Sequence, residues 1–172
     1  MSKVVTDGAI LEQSVGEKLA GKYLTFKLAQ EEYGLEILKV QEIIQMQAVT
    51  RVPRTPDYVR GVINLRGKVI PVVDLRKKFF LDTCTDTEKT CIIVVQLSSN
   101  DSVVVMGIII DEVKEVLDIK ASDIEDTPSF GSNINTDFIL GMGKVNGSVK
   151  ILLDIDKILS TQELSELELF SK

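Results

Sequence analysis

The sequence predicts an all-β fold built from two copies of one small β unit, and three observations carry that prediction. Apolar residues recur with a period of two through several short segments. Two hairpin-type turn signals, Arg66-Gly67 and Asn146-Gly147, interrupt such segments. The third observation is an internal repeat. With Asp57–Phe79 set over Asp137–Leu159 at a constant offset of 80, six of 23 positions are identical: Asp57/Asp137, Gly61/Gly141, Gly67/Gly147, Val69/Val149, Asp74/Asp154 and Lys77/Lys157. Upstream, at an offset of 73, Gly34 falls on Gly107, Ile37 on Ile110, Val40 on Val113, Glu42 on Glu115 and Ile43 on Val116. Lys22–Leu28 overlays Cys91–Leu97 at 69. The drift in offset is what insertions in the loops near Ser98–Asp101 and Ser122–Asn135 produce, because loops tolerate changes in length.

Taken in order, Lys22–Leu28 alternates with Leu24, Phe26 and Leu28 on one face, the mark of a half-buried strand. A charged turn precedes Tyr33-Gly34, and Leu35–Ile44 alternates less cleanly. Thr55-Pro56-Asp57 offers a cap and an N1 proline, which predicts a short helical turn ended by Gly61. Val62–Val73 reads as a hairpin, Cys91–Leu97 as a buried strand and Val103–Ile110 as another, with turn chemistry at Ser98–Asp101. Asn146-Gly147 marks a second hairpin. Ser160 with Glu163 forms a capping-box pattern ahead of Leu164, Leu167 and Phe170, so the chain is expected to close with a helix. Units of about 60 residues are too short for sandwiches, and small closed barrels suit them because closure removes sheet edges. So small a core is marginal alone, so the two units are expected to share a hydrophobic interface.

Composition narrows the function. The 172 residues are 44% hydrophobic and 27% charged, as in an ordinary globular chain. No apolar run approaches the ~20 residues of a membrane span, and the N-terminus has no signal-like stretch. Two cysteines, Cys84 and Cys91, fit a reducing compartment. Histidine is absent, which removes the commonest general base and the commonest metal ligand. The net charge of −6 is uneven: residues 51–78 hold eight basic and two acidic side chains, giving +6 in a background of −12. That asymmetry points either to a charged partner or to a solvated basic face.

The chemical motifs do not assemble into a catalytic set. Gly141-Met-Gly143-Lys144 lacks the following Ser or Thr of a phosphate loop. Asp74, Asp111, Asp154 and Asp156 each end an apolar run, but Asp74 and Asp154 are repeat mates ahead of predicted turns, where capping explains both. The cysteines lack metal-site spacing. A nucleic-acid-binding barrel pair using the basic 51–78 stretch is the alternative function, although its aromatics Tyr58 and Phe79 have apolar repeat mates and read as core. The repeat is most informative where its copies disagree. Arg66 stands where the second hairpin has Asn146; in a type I′ turn that position has φ > 0, which Asn tolerates more cheaply than Arg. Arg66 is therefore a candidate contact residue.

At Glu32–Ile43 (EYGLEILKVQEI), Pro53–Gly67 (PRTPDYVRGVINLRG), Val69–Arg76 (VIPVVDLR), Gly107–Val113 and Phe138–Gly143, the chain resembles the bacterial chemotaxis coupling family, CheW. The resemblance covers about residues 19–160. It implies two SH3-like five-stranded β-barrel subdomains sharing a hydrophobic core, with few short helices. The domain expectation is a flexible tail at 1–18, a CheW-like domain at 19–160 and a C-terminal helix at 161–172. Within the domain the subdomains are placed at about 22–88 and 89–159, with room for the chain to cross between them. The implied function is a non-catalytic cytoplasmic adaptor, recruited to membrane-associated receptor arrays. It would couple the cytoplasmic tips of methyl-accepting chemoreceptors to the CheW-like regulatory domain of the CheA histidine kinase, which docks end to end with it. Family positions for the receptor groove carry over to Val40, Glu42, Arg66 and Val116, and family glycines to Gly61, Gly107 and Gly141 as structural positions. No cofactor, metal, nucleic acid or direct membrane insertion is expected. Cys91 stands where a small apolar residue is usual. Related domains occur within CheA and, fused to a receiver, in CheV; the length here leads to the expectation of a stand-alone adaptor.

Overall fold

The alternating segments form strands, and the places where alternation fails are where the strands bend or break. A computed structural model describes residues 14–82, 84–99, 102–130, 136–160 and 163. The elements are α1 (Val15–Leu19), β1 (Gly21–Leu28), β2 (Glu31–Glu36), β3 (Val40–Gln45), β4 (Val59–Leu65), β5 (Lys68–Asp74), α2 (Leu75–Lys78), β6 (Cys91–Ser99), β7 (Ser102–Ile110), β8 (Glu112–Ile119), β9 (Ile124–Glu125), β10 (Ile139–Val145) and β11 (Ser148–Leu153). Short 3-10 turns occupy Ile37–Lys39, Ala121–Asp123 and Ile155–Lys157. The first of these breaks the uneven Leu35–Ile44 run.

Two sheets result, with strand orders β8-β1-β2-β11-β10-β9 and β3-β6-β7-β5-β4. Each takes its first two strands from one repeat and the remaining major strands from the other. A division at 88/89 therefore does not follow the sheets. The crossing is fixed by two equivalent parallel pairings, β2 with β11 (Gly34↔Leu152) and β5 with β7 (Val72↔Gly107). Such partners are chosen by tertiary packing, which a linear split of the repeat ignores.

Each sheet closes through the chain that follows the third strand of a repeat, β3 or β8. After β3, Thr50 bridges Val62 of β4; after β8, β9 pairs with Met142 and Gly143 of β10. Both closures press a carbonyl onto a glycine. A Cβ on Gly61 would lie 2.1 Å from the Thr50 oxygen, and one on Gly141 would lie 2.9 Å from the Glu125 oxygen. At Gly107 the obstacle is a side chain, with Ile92 Cγ2 at 2.6 Å. Gly61 thus sits in a bulge of β4 against the closing segment, where the chain before it makes only a Pro56–Val59 turn. The helical turn predicted at Thr55 is absent because Gly61 serves this close approach rather than a helix end.

Three apolar clusters follow from the closures. One fills the second sheet's barrel (Ile63, Ile70, Val72, Ile92, Val94, Ile109), and a smaller one fills the first's (Tyr23, Ile119, Ile124, Leu152). The largest lies between the sheets and joins Leu24, Phe26, Leu28 and Leu35 to Ile93, Val95, Met106 and Ile108. Central strand β6 is apolar on both faces because one face fills a barrel and the other fills the shared core. A run of rings, Phe26–Tyr33–Phe79–Phe138, crosses that core with centroid spacings of 5.8, 6.0 and 5.2 Å.

The chain ends need one correction. Residues 14–18, expected within a flexible tail, enter a capped helix: the Ser14 side chain accepts the Glu17 N–H, and Glu17 accepts the Ser14 N–H. Packing of Val15 and Leu19 on the smaller barrel core holds it there. Residues 1–13 lie outside the described residues, as does the predicted C-terminal helix apart from Glu163. The Ser160–Glu163 capping box is formed, with reciprocal bonds of 2.7 and 3.1 Å.

Candidate functional site

The two hairpin turns have the same backbone. Arg66 and Gly67 have φ of 51° and 86°, and Asn146 and Gly147 have 51° and 80°. Arg66 therefore accepts a left-handed conformation that costs a non-glycine residue roughly 1 kcal/mol or more. Its side chain reaches from the β4–β5 tip to β3, where the guanidinium meets the Glu42 carboxylate through two hydrogen bonds, Nη1 to Oε1 at 2.9 Å and a second from Nη2 to Oε2. The Arg66 hydrogen bonds hold the Glu42 carboxyl below its usual range. Arg66 remains 66% exposed, so this is a presented ion pair rather than a buried one.

The edge strands that flank the shared core are also equivalent. β3 carries a bulge at Gln41 and β8 one at Lys114, its repeat mate. Bulges blunt sheet edges and re-aim the flanking side chains. On β3, Val40 packs half-buried against the shared core. On β8, Val116 is half-exposed opposite Leu24 of that core. The structure thus joins Glu42 to Arg66 directly, places Val40 beside them across the bulge, and sets Val116 on the other sheet's edge strand. Ile43, the repeat mate of Val116, is likewise half-exposed and was missed as a candidate. The signal was present in its alignment with Val116. At the positions of the Glu42–Arg66 pair the second repeat has Glu115 and Asn146, so it cannot form the same ion pair.

The basic stretch is largely neutralised from within. Arg60 pairs with Asp74 and Asp86, Arg76 with Asp111, Lys77 with Asp57 and Lys78 with Glu163, in addition to Arg66 with Glu42. Five of its eight cations are therefore engaged, and long-range attraction for a polyanion is reduced accordingly. The four candidate aspartates have structural partners. Asp74 caps α2 by accepting the Arg76 and Lys77 N–H groups, and Asp154 accepts the Asp156 N–H. Asp111 accepts the Arg76 guanidinium and the Ala29 N–H, and Asp156 accepts Lys39 and the Ser98 N–H. Among the described residues no group of three or more His, Cys, Asp or Glu side chains is placed to hold a metal ion. No described helix is long and apolar enough to cross a membrane.

Residues 22–163 match the CheW-like domain family. The chain is 39% identical over 157 residues to chemotaxis protein CheW of Klebsiella aerogenes, covering 91% of this chain and 92% of that one. It is 36% identical over 146 residues to the Treponema pallidum protein of the same name, covering 84% and 85%. Among solved structures, the scaffolding protein TtCheW from Thermoanaerobacter tengcongensis superposes with a TM-score of 0.73 at 33% identity, covering 84% of this chain and 97% of that one.

Proposed function

The chain belongs to the CheW-like domain family, and from that premise we propose that it is a non-catalytic chemotaxis adaptor that couples chemoreceptor cytoplasmic tips to the CheA histidine kinase. The receptor contact is assigned to Val40, Glu42, Arg66 and Val116. The kinase contact is assigned to the CheW-like regulatory domain of CheA, without a residue-level surface. The working location is the cytoplasmic face of receptor arrays.

The observation that carries the reading is Arg66. A residue held in a left-handed backbone, largely exposed, and aligned on an edge-strand carboxylate contributes little to the fold. Its presence at so strained and exposed a position fits a binding role. The Glu42–Arg66 pair supplies direction and charge, and half-exposed Val116 and Ile43 supply apolar area beside the shared core.

Binding of the full chain to a receptor cytoplasmic fragment and to CheA tests this. Arg66→Glu and Val40→Lys are expected to weaken receptor binding at least about tenfold while CheA binding persists. Unchanged receptor affinity in both variants rejects the site. Failure of the unaltered chain to bind either partner rejects the adaptor reading.

A further inference from the structure

Three cations of the basic stretch, Arg51, Arg54 and Lys68, are exposed and enter no ion pair among the described residues. Two of them share one loop, the connection between β3 and β4 that also closes the second sheet. That loop is built rather than loose. Its N-terminal side is tied to β4 by two backbone hydrogen bonds between Thr50 and Val62, at 2.9 and 2.8 Å. Gly61 leaves no room for any other residue beneath it. Within the loop, the Thr55 hydroxyl donates to the Val52 carbonyl at 2.9 Å, and the Val59 N–H donates to Pro56 at 3.0 Å. Pro53 and Pro56 restrict the backbone further.

On this frame Arg54 has φ of 65°, the second arginine of the stretch held in the left-handed region. Arg66 answers its strain with a carboxylate, and Arg54 has none among the described residues. A concave surface is lined by Arg51, Pro53, Arg54, Thr55, Pro56 and Asp57, among others. Asp57, which also lines it, is highly exposed and lies 3.7 Å from the Lys77 ammonium. A hydrogen-bonded, strained loop that displays two arginines without a carboxylate partner among the described residues is preorganised for a ligand that supplies carboxylates.

We propose that the Arg51–Pro56 loop is a docking site for an acidic segment of a partner protein, with Arg51 and Arg54 taking its carboxylates. The rest of the molecule selects against larger polyanions. Net charge is −6, and Arg51–Pro56 holds no aromatic residue on which a base could stack. A short acidic peptide meets only the local positive patch, whereas a nucleic acid or an anionic membrane meets the acidic surroundings as well. This inference does not depend on the receptor or kinase contacts.

The test titrates the isotopically labelled full-length chain with a hexaglutamate peptide. A single-stranded hexanucleotide and anionic phospholipid vesicles serve as parallel arms. Chemical shift changes are expected at 50–62 and at the Arg51 and Arg54 side chains, weakening as salt rises. The Arg51→Gln, Arg54→Gly double variant should bind the peptide about tenfold or more weakly. Glycine suits the left-handed position, so the variant keeps its fold, and its own spectrum verifies that. Undiminished binding by the variant overturns the proposal, as do changes scattered over other lysines. Equal or tighter binding of the oligonucleotide or the vesicles overturns it too, and so does salt-sensitive self-association that the variant abolishes, which would make a second copy the occupant.

Discussion

Arg66 and Phe80 share an unusual circumstance: each holds a backbone conformation that suits glycine, and neither buries its side chain. Phe80 stands at the end of α2, where its N–H reaches the Lys77 carbonyl and the Leu81 N–H reaches the Arg76 carbonyl, the pattern of a Schellman cap. The cap position has φ of 58°, and Phe80 is 95% exposed. Phe80→Gly should therefore stabilise the protein by about 1 kcal/mol and raise its melting temperature by about 2–4 °C; a lower melting temperature would show that the ring has a contact that matters. Arg66→Asn should change stability by less than about 1 kcal/mol, because relief of the backbone offsets loss of an exposed ion pair. Urea denaturation measures that balance. Glu163 makes the opposite trade. Burial would raise its carboxyl, but bonds from Lys78 Nζ, the Ser160 N–H and the Tyr58 hydroxyl prevail and hold it at about 2. A folded value below the unfolded 4.5 means that its stabilisation is complete above about pH 4.5 and is lost as pH falls toward 2. Thermal melts of Glu163→Gln should lie below those of the parent at neutral pH and converge with them through that window. The cap itself was legible from Ser160 and Glu163; the grip of Lys78 and Tyr58 was not, because it joins residues 85 and 105 positions apart.

At the level of elements, β5 and β11 are repeat mates with one telling difference. Ile70 is buried in the larger barrel core, and its mate Lys150, only 9% exposed, turns its ammonium to Glu32 at 2.6 Å. The smaller barrel thus closes one end with an ion pair where the larger uses a branched apolar side chain. Partly buried ion pairs return little net stability, since desolvation opposes attraction. Lys150→Met should be neutral or stabilising by about 1 kcal/mol, read as an unchanged or higher denaturation midpoint, because Glu32 retains access to water. A loss of several kcal/mol would show that the pair positions the strands. Strands and hairpins were readable from sequence because alternation and turn chemistry are local. The Thr55–Pro56 signal misled because the glycine after it, Gly61, answers to Thr50, eleven residues back across the closure, rather than to a helix. The capped α1 was readable too, in Ser14 and Glu17, and was passed over for want of an apolar run.

For the whole molecule the governing fact is the exchange of strands between the repeats. The repeat was visible in the sequence, and the family resemblance left room for a crossing; which strands exchange was not legible, since alternating strands carry no record of which partner they take. It predicts that a cut in the 84–88 loop, made in a chain otherwise intact, yields two pieces that do not form separate monomeric folds. Mixed, they should restore the native circular dichroism and amide spectrum. A piece that folds alone as a monomer would refute the interdependence. The same crossing predicts one calorimetric transition for both sheets, because neither can melt and leave the other a complete core.

This exchange also bears on how the chain came to be. A single repeat, with two strands to give away and three awaiting replacements, has its simplest complete form as a symmetric pair of identical chains. Tandem fusion of such a pair would have freed each copy from obeying its twin. Arginine could then enter one hairpin while asparagine stayed in the other, and lysine could replace an aliphatic residue in one barrel alone. The asymmetry that gives this molecule distinguishable faces is thus open to two covalently linked repeats and closed to a symmetric pair of identical chains.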